Sequence, residues 1–246
     1  PVPGRGHASP IVVGDQVFLA TADETAQVQS VVAFDRRTGA QQWIAKIHER
    51  NFPRSGMHHK STHANGTPAC DGKRIYCGFL NDGNIHASAV DLQGRILWQT
   101  VLGPFTPNFG YAPSPVLYEG LVIYAADNHG SGFIAAVSRE PGELIWRTPR
   151  PSASTYASPN IVTIGGRAQL VIAGADLISA YDPLTGEELW STPGGTEAMV
   201  GTVVSQGDLV FASGGYPGKA TLCVDGGSHA IVWENGVKSY EQSMLL

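Results

Sequence analysis

Short apolar runs separated by turn residues recur along the whole chain. The first repeat shows the pattern: SPIVV, a Gly14-Asp15 turn, QVFLATA, a loop, SVVAFD and AQQWIAKI. Runs of this length, rich in Val, Ile and aromatic residues and bounded by Gly, Pro and Asp, are typical of β-strands. The segment therefore predicts four antiparallel strands joined as a meander. Strict alternation of apolar and polar positions is absent, as expected where both faces of a sheet are covered.

The four-strand pattern occurs five times. Each copy has an opening hairpin, a third strand that ends in an Asp or a Ser, and a fourth strand that contains a tryptophan. The predicted repeats span residues 7–50, 63–103, 110–149, 156–193 and 199–238. Residues 239–246 match the opening of a further repeat, with Tyr240 at the position of Tyr156 and His7.

One motif organises the repeats, and its best copy is YDPLTGEELW at Tyr181–Trp190. An Asp ends the third strand, where its side chain can accept hydrogen bonds from the turn backbone. A Gly then allows a positive φ angle, and a Trp follows four residues later. The five copies place these residues at Asp35, Gly39 and Trp43; Asp91, Gly94 and Trp98; Ser138, Gly142 and Trp146; Asp182, Gly186 and Trp190; and Asp225, His229 and Trp233.

All five tryptophans of the chain belong to this motif, at intervals of 55, 48, 44 and 43 residues. Repeats of this length built from short strands are typical of β-propeller blades. Burial removes about 150–250 Å² of an indole from water, so each Trp is expected to be a buried wedge between repeats. The sequence therefore predicts one all-β propeller domain of four-stranded antiparallel blades, with five blades and the first strand of a sixth. We interpret it as a segment of a longer ring; a closed five-bladed ring is the alternative.

Composition excludes some function classes. Only 15% of the 246 residues are charged and the net charge is −5, which argues against nucleic-acid binding through a basic face. No apolar run approaches the roughly 20 residues of a membrane-spanning helix. The opening residues, PVPGRGHASP, lack the basic start and apolar stretch of a signal peptide. Cys70, Cys77 and Cys223 are expected to be unpaired, buried small side chains.

The A-x-D-x-x-T-G-x-x-x-W pattern of Ala33–Trp43, which Tyr181–Trp190 repeats with a Tyr start, resembles the tryptophan-docking motif of the PQQ-like propellers. That family includes quinoprotein alcohol dehydrogenases and the BamB-type outer-membrane assembly lipoproteins. The resemblance extends over essentially the whole chain. It implies a ring of seven or eight blades, so that the remaining blades of the polypeptide lie outside this segment. It also implies an exported, periplasmic or secreted, bacterial protein.

For the quinoprotein members, the resemblance implies a PQQ held with calcium, a base carboxylate and a disulfide between adjacent cysteines. No two cysteines are adjacent here, and no set of Glu, Asn and Asp matches the calcium site by motif. We therefore expect a non-catalytic binding protein or assembly scaffold without a cofactor. A PQQ-dependent, alcohol dehydrogenase-like oxidoreductase is the alternative. A glycan-recognition module attached to an enzyme is a further one.

A meander blade places first-strand starts, second loops and interblade linkers on the same face. Six of the eight histidines, including His86, fall on that predicted face, together with Asp23, Asn81, Asp82, Asn128, Asp176 and Tyr240. We predict that this face binds a protein, peptide or glycan partner. The alternative is that loops are polar because Asx residues form turns. The candidate ligand-binding residues are His7, His58, His59, His63, Tyr111, Asp127, His129, Tyr156 and Met199.

Three of these histidines, His58, His59 and His63, share the linker between the first two repeats. Imidazoles can bind zinc or copper, but a site needs three or four convergent ligands. Adjacent histidines in an extended segment point to opposite sides, so only one of the pair is expected to reach His63. No Cys or nearby carboxylate completes the set. The sequence predicts no metal site.

Overall fold

The computed structural model describes residues 1–53, 57–239 and 242–246. These residues form twenty β-strands in five four-stranded sheets and contain no helix. The strands of each sheet follow chain order, so the predicted meanders are confirmed. The chain divides into two compact units, the first made of Pro1–Tyr124 and Val137–Leu144 and the second of Ala125–Ala136 and Ile145–Leu246.

Each sheet contains four strands that are consecutive in the chain. The first contains β1 (Ile11–Val13), β2 (Gln16–Asp23), β3 (Val28–Asp35) and β4 (Gln41–Glu49). The second contains β5 (Ala69–Cys70), β6 (Arg74–Asn81), β7 (Asn84–Asp91) and β8 (Ile96–Pro104). The third contains β9 (Val116–Tyr118), β10 (Leu121–Ala126), β11 (Phe133–Ser138) and β12 (Leu144–Pro149). The fourth contains β13 (Asn160–Ile164), β14 (Arg167–Gly174), β15 (Leu177–Tyr181) and β16 (Glu188–Pro193). The fifth contains β17 (Val204–Gln206), β18 (Leu209–Gly214), β19 (Ala220–Asp225) and β20 (Ile231–Asn235).

Four of the five first strands are only two or three residues long. The residues before them bond to the next repeat instead. The Ser9 amide donates to Thr67 Oγ1 at 3.0 Å, and the Thr67 amide donates in turn to Ser114 Oγ at 3.0 Å. Each of these hydroxyl residues precedes a proline. The recurring Ser/Thr-Pro step is therefore a link between repeats, a role that the sequence pattern alone does not reveal.

The predicted Asp-Gly turns are present. Asp35 Oδ1 accepts hydrogen bonds from the amides of Arg37 and Thr38 at 3.1 and 2.7 Å. Thr38 is also the main reason why the pKa of the Asp35 carboxyl is lowered, since its hydroxyl donates to the same oxygen at 2.7 Å. Gly39 has φ +69° and Gly186 has φ +73°, in the left-handed region that glycine adopts at low cost. The turn chemistry read from the motif is confirmed.

The tryptophans dock on the turn of the following motif. Trp43 donates its indole N–H to the Leu92 carbonyl at 3.0 Å, and Trp98 donates to Arg139 at 2.9 Å. A Cβ at Gly94 would lie 2.8 Å from Cδ2 of Trp43, closer than real side chains approach. The glycine is therefore needed twice, for its φ angle and for the space that the ring of the preceding motif occupies.

The expectation of five equivalent buried wedges is wrong for Trp233. Trp146 and Trp190 are 9% and 6% exposed, whereas Trp233 is 41% exposed. The described residues that follow Trp233, 234–239 and 242–246, contain no further turn motif on which the ring docks. Its described aromatic neighbour is Phe211 of its own sheet, with ring centroids 6.1 Å apart.

Each compact unit has its own buried side chains. Phe18, Ile75 and Phe79 lie in the core of the first unit, and Leu170 and Leu222 are fully buried in the second. All three cysteines are free; Cys77 and Cys223 are buried and Cys70 is half-buried. The expectation of unpaired, buried side chains is therefore confirmed for Cys77 and Cys223, whereas Cys70 is only partly buried.

No strand forms at the predicted start of a sixth repeat in the described residues, 239 and 242–246. Tyr240, which the sequence aligned with Tyr156, lies outside the described residues, as does Glu241. The tail nevertheless lies beside the fifth repeat, because the Thr202 amide donates to Ser243 Oγ at 3.1 Å.

Candidate binding surface

The linker between the first and second sheets is anchored by a buried amide. Gln29 on β3 is fully buried, and its Nε2 donates to the carbonyls of His63 and Leu80, both at 3.0 Å. Asn81 at the end of β6 donates from Nδ2 to the Arg50 carbonyl at 2.8 Å. These bonds hold the linker at His63 and at Arg50. Gln29 was missed in the sequence because it resembles any polar residue at a strand end.

Two of the linker histidines form a stack with Phe109. The ring centroids of His58 and His59 are 4.3 Å apart, and those of His58 and Phe109 are 4.8 Å apart. His59 is exposed and Phe109 is 41% exposed. The expectation that His58 and His59 point to opposite sides is wrong, because a turn at residues 59–60 replaces the extended backbone on which it rested. We call these three side chains the linker stack.

His63 lies apart from the linker stack in its contacts. Its ring stacks on Phe52, with centroids 4.1 Å apart, and burial lowers its pKa. In the part of the chain that the structure describes, no three His, Cys, Asp or Glu side chains are grouped so that they could hold a metal ion.

The remaining candidates of the first unit differ in exposure. His7 is exposed and borders a shallow open pocket of about 310 Å³, which also contacts Arg5, Thr21 and Thr62. Tyr111 is only 4% exposed and packs edge-on against Phe105 at 5.7 Å. Tyr111 is therefore positioned to support the surface from below, whereas His7 can contact a ligand directly.

In the second unit, Asp127 forms a buried ion pair. Both its carboxylate oxygens accept from Arg150, at 2.7 and 2.9 Å, and Arg150 also donates to Tyr181 Oη at 2.8 Å. Asp127 is 2% exposed and Arg150 is 7% exposed. Although burial opposes its charge, the Asp127 carboxylate raises the pKa of the Arg150 guanidinium. Because both carboxylate oxygens are already bonded to Arg150, the Asp127 side chain has little capacity left to bind a ligand.

The other three candidates of the second unit lie at different depths. Met199 is fully buried, and its backbone carbonyl accepts from Thr155 Oγ1 at 2.7 Å. The Tyr156 amide also donates to that carbonyl, at 2.9 Å, and Tyr156 Oη lies 2.7 Å from Ser154 Oγ. Tyr156 is half-buried, and His129 is exposed on its loop. His129 and part of Tyr156 are therefore accessible to a partner.

A second pair of histidines was not recognised in the sequence. His48 on β4 and His86 on β7 have ring centroids 4.7 Å apart. They are 38 positions apart in the chain, and no spacing rule links them. Burial, together with His86, lowers the pKa of His48 from 6.5 to about 4. The sequence places His48 on an amphipathic strand, and this pattern does not indicate a contact with His86.

The fold of the chain is similar to those of solved bacterial proteins. The chain is similar to the crystal structure of BamB from Moraxella catarrhalis, with a TM-score of 0.65, 15% identity and coverage of 100% of this chain and 68% of that one. It is also similar to the quinohemoprotein alcohol dehydrogenase of Comamonas testosteroni, with a TM-score of 0.60, 17% identity and coverage of 95% and 43%. At these identities the likeness concerns the fold, which is that of the PQQ-like β-propellers.

The family follows from the sequence match. The model of the family described as outer membrane protein assembly factor BamB matches residues 27–246, and the chain belongs to this family. A relative with that same description, from Burkholderia pseudomallei, is 28% identical over 203 residues. The match covers 77% of this chain and 43% of the relative, so the chain spans less than half the length of the curated relative that it matches. The described residues include no helix long and apolar enough to cross a membrane.

Proposed function

We propose that this protein is a non-catalytic scaffold that binds a protein partner during outer-membrane protein assembly. The observation that carries the proposal is the family match over residues 27–246. We propose the periplasmic side of the outer membrane as its location, because the relative from Burkholderia pseudomallei is described as an outer-membrane assembly factor. The proposal includes no cofactor, and it takes an unfolded outer-membrane polypeptide as the partner.

In the first unit, the proposed contact surface is the linker stack. Its side chains are aromatic or imidazole rings on a backbone that Gln29 and Asn81 hold in place. The His58 amide donates to the Asn108 carbonyl at 3.0 Å, which joins the two segments that carry the stack. Flat rings on a fixed backbone lose little entropy on binding and are frequent among the residues that dominate protein interfaces.

In the second unit, we assign partner contact to His129 and Tyr156. Asp127 and Met199 are supporting residues in this proposal, because both are buried and already bonded. The Ser152 hydroxyl donates to the His129 carbonyl at 2.8 Å, which fixes the loop that presents the imidazole. In the second unit, the proposal thus divides the predicted residues into contacting and supporting members.

A photo-crosslinking experiment tests the proposal. A photoreactive phenylalanine analogue replaces His59 or, as the control, the exposed Arg37 in an Asp-Gly turn. The protein is mixed with an outer-membrane porin diluted from urea. We expect crosslinks to the porin from position 59 and at least fivefold fewer from position 37. Replacement of Phe109 by Ser should reduce the yield at position 59.

Equal yields at positions 59 and 37, or none at either, would overturn the assignment of the surface and partner. A separate assay addresses the enzymatic alternative. Incubation with PQQ and calcium, followed by dye-linked alcohol oxidation, is expected to give no turnover. Turnover above that of the buffer control would contradict the non-catalytic proposal whatever the crosslinking result.

A further inference from the structure

The His48–His86 pair lies where the first and second sheets meet inside the first unit. Besides contacting His86, the His48 ring meets Phe79 edge-on, with centroids 6.2 Å apart. Nε2 of His48 is buried and has no hydrogen-bond partner among the described residues. Nearby, Gln99 on β8 donates to the Ile47 carbonyl at 3.0 Å and ties the same two sheets together. An imidazole in this place is stable only while it is neutral.

The pair is connected to the start of the linker by hydrogen bonds. His86 Nε2 lies 3.1 Å from the Asn81 carbonyl, so in the neutral ring this nitrogen carries the proton and donates. Asn81 in turn donates from its side chain to Arg50, and the Asp82 amide donates to the Asn51 carbonyl at 3.0 Å. Arg50 and Asn51 follow directly after β4, which carries His48. His86 is therefore connected through Asn81 to Arg50, and Arg50 lies two positions after His48 in the chain.

These first two linker residues have an unusual backbone. Arg50 has φ +69° and Asn51 has φ +61°, in the left-handed region that residues other than glycine seldom adopt. Such conformations persist only when surrounding contacts hold them. The holding contacts here are the bonds from Asn81 and Asp82 and the Arg50 amide, which donates to the Gln27 carbonyl at 2.7 Å. A loss of sheet-to-sheet contact would release this segment first.

We propose that the His48–His86 pair is a proton-sensitive clamp that holds the start of the 50–63 linker when neutral and releases it when protonated. Two imidazolium rings at this separation repel each other, and a charged His48 has no partner to compensate for lost hydration. Opening of the contact hydrates both rings. The release frees Arg50 and Asn51 from their hydrogen bonds to Asn81 and Asp82. This proposal does not depend on whether the linker binds a protein.

The charged groups around the pair determine the direction of the effect. Burial lowers the pKa of His86, and it outweighs the hydrogen bond to the Asn81 carbonyl and the Asp82 carboxylate, which both favour the protonated ring. On β4, Lys46 and Glu49 are exposed and compensate each other at 2.8 Å. No charged residue lies on β8, whose sequence is ILWQTVLGP. His48 therefore has no nearby carboxylate, apart from the exposed Glu49, to stabilise its charged form.

The sign of the pH dependence follows. The pKa of His48 is about 4 in the closed state, against 6.5 for a free imidazole. The open state therefore binds the proton more tightly, and acid favours opening between pH 6.5 and pH 4. Between pH 7 and pH 5, linkage predicts a rise of about twentyfold in the opening equilibrium constant. Above pH 7 the equilibrium should not change with pH.

Nuclear magnetic resonance tests the clamp in the unmodified chain. Ring resonances should titrate well below pH 6 for His48, and amide hydrogen exchange should report opening at Asp82 and Arg50. After correction for intrinsic exchange, both amides should lose about twentyfold protection from pH 7 to pH 5. The Gly186 amide, which donates to the Asp182 carbonyl at 2.8 Å in the second unit, serves as the internal control.

Two variants distinguish the proposed clamp from a general effect of acid on the protein. His48→Phe keeps an aromatic ring against Phe79 and removes the titrating group, so it should abolish the pH dependence at Asp82 and Arg50. His129→Gln removes an exposed histidine and should leave that dependence unchanged. The clamp is overturned if His48 titrates at or above pH 6.5 in the unmodified chain. Equal pH dependence in His48→Phe and the unmodified protein would also overturn it. Because the readout is exchange rather than porin binding, these outcomes leave the proposed function to its own test.

Discussion

The turns of the fourth and fifth motifs have different residues, Gly186 and His229, at the same position. Both follow an Asp at the end of a third strand, and both receive the tryptophan of the preceding motif. At the fourth turn, Gly186 has φ +73° and the Trp146 ring occupies the space beside its Cα. At the fifth turn, His229 has φ +61°, and its imidazole stacks on Trp190 at 5.2 Å with an interplanar angle of 16°.

The comparison shows which part of the docking motif is essential. The backbone contact is kept, since Thr148 donates to the Gly186 carbonyl at 2.6 Å and Thr192 donates to the His229 carbonyl at 2.8 Å. The indole partner is not kept. Trp146 donates to the Pro183 carbonyl at 3.3 Å, whereas Trp190 donates to Gln169 Oε1 at 2.8 Å. A stacked ring can therefore replace the glycine, at the expense of left-handed strain in a residue with a side chain.

The largest effect is expected for Trp190, whose indole stacks on His229 of the fifth turn. Trp190→Ala should lower the free energy of unfolding by about 3–5 kcal/mol, because it deletes a side chain that is 6% exposed and leaves a cavity. Urea unfolding of the purified chain measures the change. Trp146→Ala, at the glycine-supported turn, should cost a similar amount. A loss below about 1 kcal/mol for Trp190 alone would show that stacking on His229 is a poor substitute.

The glycine-supported turn can be tested with a matched pair. A Cβ at Gly186 would lie 2.4 Å from Trp146 Cε3, whereas at Gly39, with φ +69°, it would meet nothing within 4 Å. Gly186→Ala should therefore cost about 2–4 kcal/mol, for strain and displacement of the ring, and Gly39→Ala about 1 kcal/mol, for φ alone. Thermal and urea unfolding compare the two. Equal losses would refute the second role of the glycine.

A smaller effect is expected at the histidine itself. His229→Ala keeps the positive φ and loses the stacked ring, whereas His229→Gly loses the ring but relieves the strain. The Gly variant should therefore be more stable than the Ala variant by about 1 kcal/mol. The same unfolding experiment decides. An Ala variant as stable as the Gly variant would mean that the left-handed conformation at His229 is not strained.

The smallest effect is expected for the tryptophan without a following turn. Trp233→Ala should cost less than about 1 kcal/mol, because the ring is already 41% exposed and adds little burial on folding. Fluorescence should agree, with easy iodide quenching of this indole compared with Trp190. A loss like that of Trp190→Ala would indicate that Trp233 is buried in solution.

Much of the fold could be predicted from the sequence because the same turn residues recur in each repeat. The spacing of Asp35, Gly39 and Trp43 predicted a strand end, a reversal and an indole, and each is present. The contacts of Gln29 were not readable, because two carbonyls from distant segments meet only in the folded chain. The candidate surface was predicted in part: His59 and His129 are exposed as expected, whereas Asp127 is bonded to an arginine 23 residues away.

The sequence by itself determined the all-β class, the five meanders and the turn geometry, because these depend on residues within a few positions of one another. Only the tertiary structure decided which turn receives which indole, why Trp233 differs from its four counterparts, and that His48 meets His86. Those outcomes depend on which side chains from separate repeats come into contact. A turn motif specifies where the chain reverses, but the neighbour that packs against it lies about forty residues further on, where local pattern carries no information about the contact.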